Sequence, residues 1–161
     1  GILFLDEISS MTLDMQAKLL RALEERAFRR VGGTNLIKID VQIIAASNRD
    51  LLTAINENQF RGDLYYRLKV ADLHLPPLRE RRCDIPELVG YFTRKHNSRL
   101  GVNVQNISPK AMQVLQEYRW PGNIRELNNV IERSLLFCDS DTLSVENLPT
   151  DIVCLPDDSM A

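Results

Sequence analysis

The hydrophobic positions at the start of the chain form an unbroken run that ends in two acids. Residues 1–7 read GILFLDE, with four consecutive apolar residues after Gly1. Such a run predicts a strand buried on both faces of a mostly parallel sheet. Asp6 and Glu7 then lie at the carboxyl end of this strand, the edge where open α/β sheets bind ligands. A solvated strand end is the simpler alternative for the same two acids.

The next hydrophobic positions recur at helical spacing. Thr12 is a suitable N-cap, and Asp14 in the first turn is favourable at the positive end of a helix dipole. The charged residues on the opposite face are typical of solvated helix surface. We expect one buried face, made of Met15, Leu19, Leu20, Leu23 and Ala27.

A glycine pair and a long apolar alternation follow this helix. Gly32 and Gly33 fit the tight turn of a hairpin. Alternating apolar residues become continuous over residues 43–46, as expected when one strand enters a two-sided core. The strand ends beside Asn48, so we expect this amide at the same sheet edge as the two acids. An amide there can hold a water or a phosphate oxygen without adding charge, and a turn residue is the alternative.

The rest of the chain predicts a third strand, a domain boundary and a helical bundle. Two short helices are expected over residues 51–58 and 60–68, and residues 70–75 alternate like a strand that ends at two prolines. Those prolines and the charged run PPLRERR favour a boundary. We expect an α/β subdomain over residues 1–78, a hinge over 79–83, a bundle of three amphipathic helices over 84–150 and a disordered tail over 151–161.

Composition and charge narrow the classes of function. The 161 residues are 44% hydrophobic, and the formal net charge of -2 gives no reason to expect nucleic-acid binding by the whole surface. Three cysteines without CxxC spacing suggest neither a disulfide framework nor a zinc site. No apolar run approaches a membrane span of about 18 residues and no signal peptide opens the chain, so we expect a cytoplasmic protein. A strand that begins at residue 1 without a preceding turn suggests part of a longer protein.

Six strings taken together resemble one protein family. GILFLDE, RRVGGT, AASNRDL, FRGDLYYRL, LPPLRERRCDI and RWPGNIREL occur in this order. In order and spacing they closely resemble the central AAA+ ATPase domain of bacterial enhancer-binding proteins, the activators of sigma-54 RNA polymerase. The resemblance runs from Gly1 to about Ile152. It implies an α/β fold, a truncated doubly wound parallel AAA+ sheet followed by a small helical-bundle lid, with ATP and Mg²⁺ as cofactors.

The same resemblance implies roles for the residues at the sheet edge. Asp6 would coordinate Mg²⁺ through water in a Walker B motif, Glu7 would polarise the attacking water, and Asn48 would act as sensor I. These roles suit phosphoryl transfer, which needs a metal-organising carboxylate, a water-orienting group and cations at the γ-phosphate.

Three arginines also receive roles from the resemblance. Arg61 and Arg67 match positions from which the family presents arginine fingers to the nucleotide of a neighbouring subunit, and Arg67 is the favoured direct finger. Arg125 resembles sensor II, through which the lid contacts the nucleotide. A helix-surface cation near Glu126 and Glu132 is the alternative for Arg125.

The resemblance further implies partners. The glycine hairpin, flanked by Arg30 and Val31, matches a loop that faces the ring pore and assists contact with sigma-54. The expected partners are sigma-54 RNA polymerase, further copies of the chain in a hexameric or heptameric ring, and DNA through a domain outside this chain, with no membrane. The sequence has neither a GxxxxGK[ST] phosphate loop nor a GAFTGA loop. We therefore expect this chain alone neither to bind ATP tightly nor to hydrolyse it.

Two other functions stay open at this point. A different AAA+ machine, such as a chelatase or an unfoldase, would use the same nucleotide chemistry. The second is a DNA-binding module, because the helices predicted around Ser108–Tyr118 and after Gly122 superficially resemble a helix-turn-helix. Glu126 and Glu132 on the last helix argue against it, since a recognition helix favours cations and amides.

Overall fold

The computed structural model describes residues 1–153, which fall into two compact units. The first unit spans Gly1–Leu73 and the second begins at His74. The first unit comprises β1 (Ile2–Leu5), α1 (Leu13–Glu25), β2 (Ala27–Arg29), β3 (Leu36–Lys38), β4 (Gln42–Ala45), α2 (Leu51–Asn56) and α3 (Gly62–Leu68).

A parallel pair of strands organises the first unit. β1 pairs with β4 in a register that matches Leu5 with Ala45, and Ala46 N–H donates to the Leu5 carbonyl at 2.8 Å. Both strands therefore end at the same edge of the sheet, as predicted. The predicted burial of β1 on both faces is wrong, because Ile2 and Phe4 are 71% and 58% exposed. Among the described strands β1 pairs with β4 alone, so much of its apolar surface remains in contact with solvent.

Residues 37–46, predicted as one strand, form parts of two sheets. β3 pairs antiparallel with β2, whereas β4 pairs with β1. The chain leaves the first ladder after Ile39, whose N–H donates to the Arg26 carbonyl at 2.8 Å. The hairpin predicted between β2 and β3 is confirmed, and Gly32 at its tip has a φ of +76°, which glycine adopts without strain.

The third strand predicted over residues 70–75 is also wrong. Val70 and Leu73 are 92% and 83% exposed, and these residues have no regular secondary structure. A strand requires a neighbouring strand for its backbone hydrogen bonds. None of the described strands pairs with this segment, so its alternating pattern alone does not produce a strand.

Helix α1 buries most of the predicted face, with one exception. Thr12 caps the helix as expected, since its Oγ1 accepts a hydrogen bond from Met15 N–H at 3.4 Å. Met15 itself is 54% exposed, whereas Gln16 and Leu20 are buried. The helix ends before Ala27, which belongs to β2. Leu19 and Leu23 are half-buried and pack against the same core as Leu20, so the predicted face is correct except at Met15, and it also contains the buried Gln16.

The second unit contains the three predicted amphipathic helices. They are α4 (Ile85–Leu100), α5 (Pro109–Glu117) and α6 (Asn123–Leu136). Two short strands, β5 (Asn106–Ile107) and β6 (Thr142–Leu143), pair in parallel and add a bridge that the sequence pattern did not predict. Trp120 is fully buried, and its Nε1 donates to the Leu115 carbonyl at 2.8 Å. Its neighbours in the core include Leu78, Ile85, Val89, Leu127, Ile131 and Leu135.

The predicted hinge and tail fall on ordered elements in part. Residues 79–80 and 82–83 belong to two short 3-10 turns, Leu78–Glu80 and Arg82–Asp84, and Arg81 lies between them. The hinge itself stays a prediction. Helix α7 (Thr150–Val153) shows that the tail prediction is wrong for residues 151–153, because the buried side chain of Ile152 packs in the core of this unit. Residues 154–161 of that predicted tail lie outside the described residues. No helix among the described residues is long and apolar enough to cross a membrane.

Candidate functional site

Two acids and an amide follow the paired ends of β1 and β4. Asp6 and Glu7 come directly after β1, and Asn48 comes shortly after β4. All three are exposed. Over residues 1–153, the Glu7 carboxylate and the Asn48 amide have no hydrogen-bond partner, and Asp6 Oδ1 accepts only the N–H of Glu7, at 3.0 Å. These polar groups are therefore available to a ligand at this edge.

Local hydrogen bonds fix the backbone that carries these groups. Glu7 has φ and ψ of 50° and 45°, a left-handed conformation that few non-glycine residues adopt. Its carbonyl accepts hydrogen bonds from Ser10 N–H at 2.9 Å and from Ser10 Oγ at 2.7 Å. The hydroxyl of Ser47 bonds both the N–H and the carbonyl of Arg49, which turns the chain around Asn48.

The two candidate finger arginines lie at opposite ends of α3. Arg61 is the N-cap residue, and its guanidinium bonds Asp63 twice, through Nε at 3.0 Å and Nη2 at 2.7 Å. These hydrogen bonds raise the pKa of Arg61 and lower the pKa of Asp63. Arg67, in the last turn, donates from Nη2 to the Leu23 carbonyl at 3.4 Å. Both arginines are exposed, and neither is hydrogen-bonded to the acids or the amide at the strand edge.

One polar residue of this unit had no role in the sequence analysis. Gln16, on α1, is fully buried. Its Nε2 donates to the carbonyls of Met11 and Gln59, and its Oε1 accepts the N–H of Arg61 at 2.9 Å. The signal that would have found it is a polar residue four positions before Leu20, within the apolar stripe of the helix.

Arg125 lies on α6 in the second unit and is exposed. The alternative interpretation, a helix-surface cation near Glu126 and Glu132, agrees with this exposure, although both acids bond other groups. Glu126 accepts the N–H of Gly122 at 2.8 Å, and Glu132 pairs with Arg99. Arg125 forms no ion pair with any residue of the described range, and its assignment as sensor II stays a prediction.

The oxygen donors at the strand edge fit Mg²⁺ that arrives with a phosphate ligand. Residues 1–153 contain no cluster of three or more His, Cys, Asp or Glu side chains that could hold an ion by themselves. Mg²⁺ is usually bound by one or two carboxylates, with waters and substrate phosphates completing its shell. The exposed carboxylate of Asp6 is of this kind.

Two family models match nearly the whole chain. Residues 1–74 match the Sigma-54 interaction domain, and residues 79–159 match the AAA+ ATPase lid domain. The chain belongs to the sigma-54 interaction family of AAA+ ATPases. The first match contains the strand-edge residues and both candidate finger arginines, and the second contains Arg125. The predicted α/β fold with a helical lid is confirmed.

Relatives of this sigma-54 interaction chain are longer proteins. Regulatory protein AtoC of Escherichia coli is 51% identical over 152 residues, which is 94% of this chain and 33% of AtoC. The formate hydrogenlyase transcriptional activator FhlA of the same organism is 50% identical over 151 residues, 94% of this chain and 22% of FhlA. A crystal structure of NtrX from Brucella abortus in complex with ATP has a TM-score of 0.90 and 40% identity, and the match covers 99% of this chain and 38% of NtrX. The chain thus spans about a third or less of these two curated relatives.

Proposed function

We propose that this chain carries the hydrolytic half of an ATPase site in a sigma-54-dependent transcriptional activator. The intact protein couples ATP hydrolysis to remodelling of the sigma-54 RNA polymerase closed promoter complex. The observation that carries the proposal is the parallel pairing of β1 with β4, which ends two strands at one edge, beside Asp6, Glu7 and Asn48. The family membership and the ATP complex of NtrX support it.

In the proposed mechanism each group at the edge has one task. Glu7 orients and polarises the attacking water, and Asn48 holds the water or a γ-phosphate oxygen through its amide. Asp6 would hold Mg²⁺ through water, and the ion would neutralise part of the phosphate charge. Arg125 contacts the nucleotide from the lid as sensor II.

Arg61 and Arg67 act on a nucleotide bound to a neighbouring subunit, with Arg67 the favoured direct finger. An arginine supplied in this way contributes roughly 10³ to 10⁵ in rate. Hydrolysis is then conditional on assembly, which we propose to be a hexameric or heptameric ring in the cytoplasm. The hairpin with Arg30 and Val31 assists contact with sigma-54, and DNA is contacted through a domain outside this chain.

The 161-residue chain by itself is proposed to be inactive. Its sequence contains no GxxxxGK[ST] motif, the loop whose backbone N–H groups cradle nucleotide phosphates. Purified alone, the chain is expected to show neither tight ATP binding nor turnover. Sustained phosphate release by this purified chain would overturn that statement.

Capture of sigma-54 separates this function from that of another AAA+ machine. The full-length protein is incubated with sigma-54 and either ADP alone or ADP with aluminium fluoride, which imitates the transferring phosphoryl group. We expect a stable complex with sigma-54 only when the fluoride is present. If the full-length protein hydrolyses ATP but does not bind sigma-54 with the analogue, it is a remodelling ATPase with another target.

A further inference from the structure

The buried Gln16 side chain joins two segments of the first unit that have different proposed tasks. On one side lies Met11, which follows the turn after Glu7, and its carbonyl accepts Gln16 Nε2 at 2.8 Å. On the other side the same nitrogen donates to the Gln59 carbonyl at 3.0 Å, and Gln16 Oε1 accepts Arg61 N–H at 2.9 Å. Both N–H groups of the amide have a carbonyl partner, and its oxygen is used as well.

The side-chain amide of Gln16 bonds the backbone of Gln59 and Arg61 in the way that a neighbouring β-strand would. The amide bonds the carbonyl of one residue and the N–H of the residue two positions later. Phe60, between them, is 3% exposed and packs in the core with Leu20 and Leu64. The segment is thus fixed by its backbone through Gln16 and by its side chain through the core. Arg61 comes at the end of this fixed segment.

A second group holds the same segment from the direction of Asn48. Arg49 donates to Gln59 Oε1 at 2.6 Å and to Glu57 Oε2 at 2.8 Å. The side chains of Arg49 and Glu57 are about half exposed, so their ion pair contributes little to holding the segment. The amide of Gln16 is itself fully buried, and its loss would remove the side-chain partner from three backbone groups.

We propose that Gln16 is a positioning residue for the arginine finger. This inference rests on the proposed role of Arg61 in a neighbouring subunit. Gln16 touches neither nucleotide nor reacting atoms; it fixes the N-cap of α3, and with it the place from which Arg61 and Arg67 leave the surface. An apolar residue of the same size would fill the space and leave the N–H of Arg61 without an acceptor.

The test uses the full-length protein with the substitution Gln16→Met, which keeps the length of the side chain and removes all three hydrogen bonds. A displacement of about 1 Å in a catalytic group can cost about 10² in rate. We expect kcat for ATP hydrolysis to fall about 10²-fold, with KM for ATP within about threefold of wild type, because the subunit's own nucleotide contacts are unchanged. A kcat within about threefold of wild type overturns the proposal.

Mixed assemblies distinguish a finger effect from a general structural defect. Glu7→Gln subunits cannot hydrolyse ATP but carry an intact finger segment, so mixing them with Gln16→Met subunits should restore part of the turnover. Lost activity that mixing does not restore means that Gln16 acts within its own subunit, and the proposal is wrong.

The mixture of Arg61→Ala with Glu7→Gln is the reference. If ATP turnover recovers in that mixture but not in the Gln16→Met mixture, the inference about Gln16 fails while the proposed function of Arg61 stands. If neither recovers, the proposed role of Arg61 fails, and the inference fails with it.

Two further variants keep the test decisive. If Gln16→Met does not fold at the assay temperature, Gln16→Leu takes its place under the same mixing criterion, because it also removes all three hydrogen bonds and fills the space with an apolar side chain. Gln113→Met is the matched control. It makes the same chemical change at an amide on α5 whose single side-chain bond is to Glu117 at the surface, and it should leave turnover and mixing unchanged.

Discussion

At the scale of single residues, the paired hydrogen bonds between Arg61 and Asp63 would have to break for Arg61 to act as the proposed finger. The two side chains are 42% and 48% exposed. Exposed ion pairs contribute little to stability, because water and salt screen the charges. The pair therefore orients Arg61 in the isolated subunit, and it is weak enough to be compatible with the proposed finger role.

Asp63→Asn tests this interpretation in the full-length protein. Because the bond is weak, we expect ATP turnover to change by less than about fivefold. The hydrogen bonds from Arg61 lower the pKa of Asp63, so the carboxylate stays charged until the pH falls below the ordinary value of about 3.9. The stability that the pair adds is present above that value and is lost as the pH falls through the lowered pKa.

The pH–rate profiles of wild type and Asp63→Asn should therefore have the same shape between about pH 5 and pH 9. The measurement is steady-state turnover across this range at constant ionic strength. A change in shape that is specific to Asp63→Asn, or a loss of turnover of about tenfold or more, would show that the pair has a larger role than the exposed geometry suggests.

At the scale of elements, helix caps stabilise the lid. Ser108 precedes α5, and its Oγ accepts the N–H of Ala111 at 3.2 Å. We expect Ser108→Ala to lower the free energy of unfolding of this unit by about 1 kcal/mol, because one N–H in the first turn loses its acceptor. Urea unfolding followed by the fluorescence of Trp120, the single tryptophan, measures the change.

Ser108→Asp is the control for this cap, since aspartate is an equally good N-cap and should stay within about 0.5 kcal/mol of wild type. Equal destabilisation by alanine and aspartate would mean that the hydroxyl acts through packing and not as a hydrogen-bond acceptor.

The spacing of apolar residues predicted the helices of the lid well, but it predicted α1 and the strands less well. In the lid, apolar spacing and the Ser108-Pro109 start identified all three long helices, because each helix packs one stripe on a single core. In α1, apolar spacing wrongly placed Met15 on the buried face and missed Gln16. A pattern of apolar residues cannot identify a buried amide, and the amide of Gln16 is buried because it bonds three backbone groups. Strand pairing depends on partners distant in sequence, so alternation alone could not divide residues 37–46 between two sheets.

The sequence predicted which residues meet at the candidate site, but it did not predict their local conformation. Parallel pairing follows from two strands joined through a helix, and the convergence of Asp6 and Asn48 on one sheet edge followed from it. The left-handed turn at Glu7 and the pairing of Arg61 with Asp63 depend on local hydrogen bonds that composition does not reveal. The roles of these residues stay predictions until turnover is measured.

At the scale of the whole chain, the two units differ in how much core they possess. Among the described residues, fifteen buried hydrophobic residues form one cluster in the second unit, including Trp120, and five form the cluster of the first. The first unit also exposes Ile2, Phe4, Val70 and Leu73. Burial of apolar surface is the dominant stabilising contribution to folding, so the second unit should be the more stable.

Denaturation of the purified 161-residue chain tests this difference. We expect the far-UV circular dichroism, which reports both units, to begin changing at lower urea than the fluorescence of buried Trp120, which reports the second unit alone. Coincident transitions would indicate a single cooperative unit and would contradict the estimate from the two cores.

The central claim concerns Glu7, which we propose orients water for hydrolysis without contributing to nucleotide affinity. The most direct measurement compares ATP binding and ATP turnover in the full-length protein with Glu7→Gln. The account predicts a Kd for ATP within about threefold of wild type and turnover lower by about 10²-fold or more. Turnover within about tenfold of wild type, or loss of ATP binding together with turnover, would contradict it.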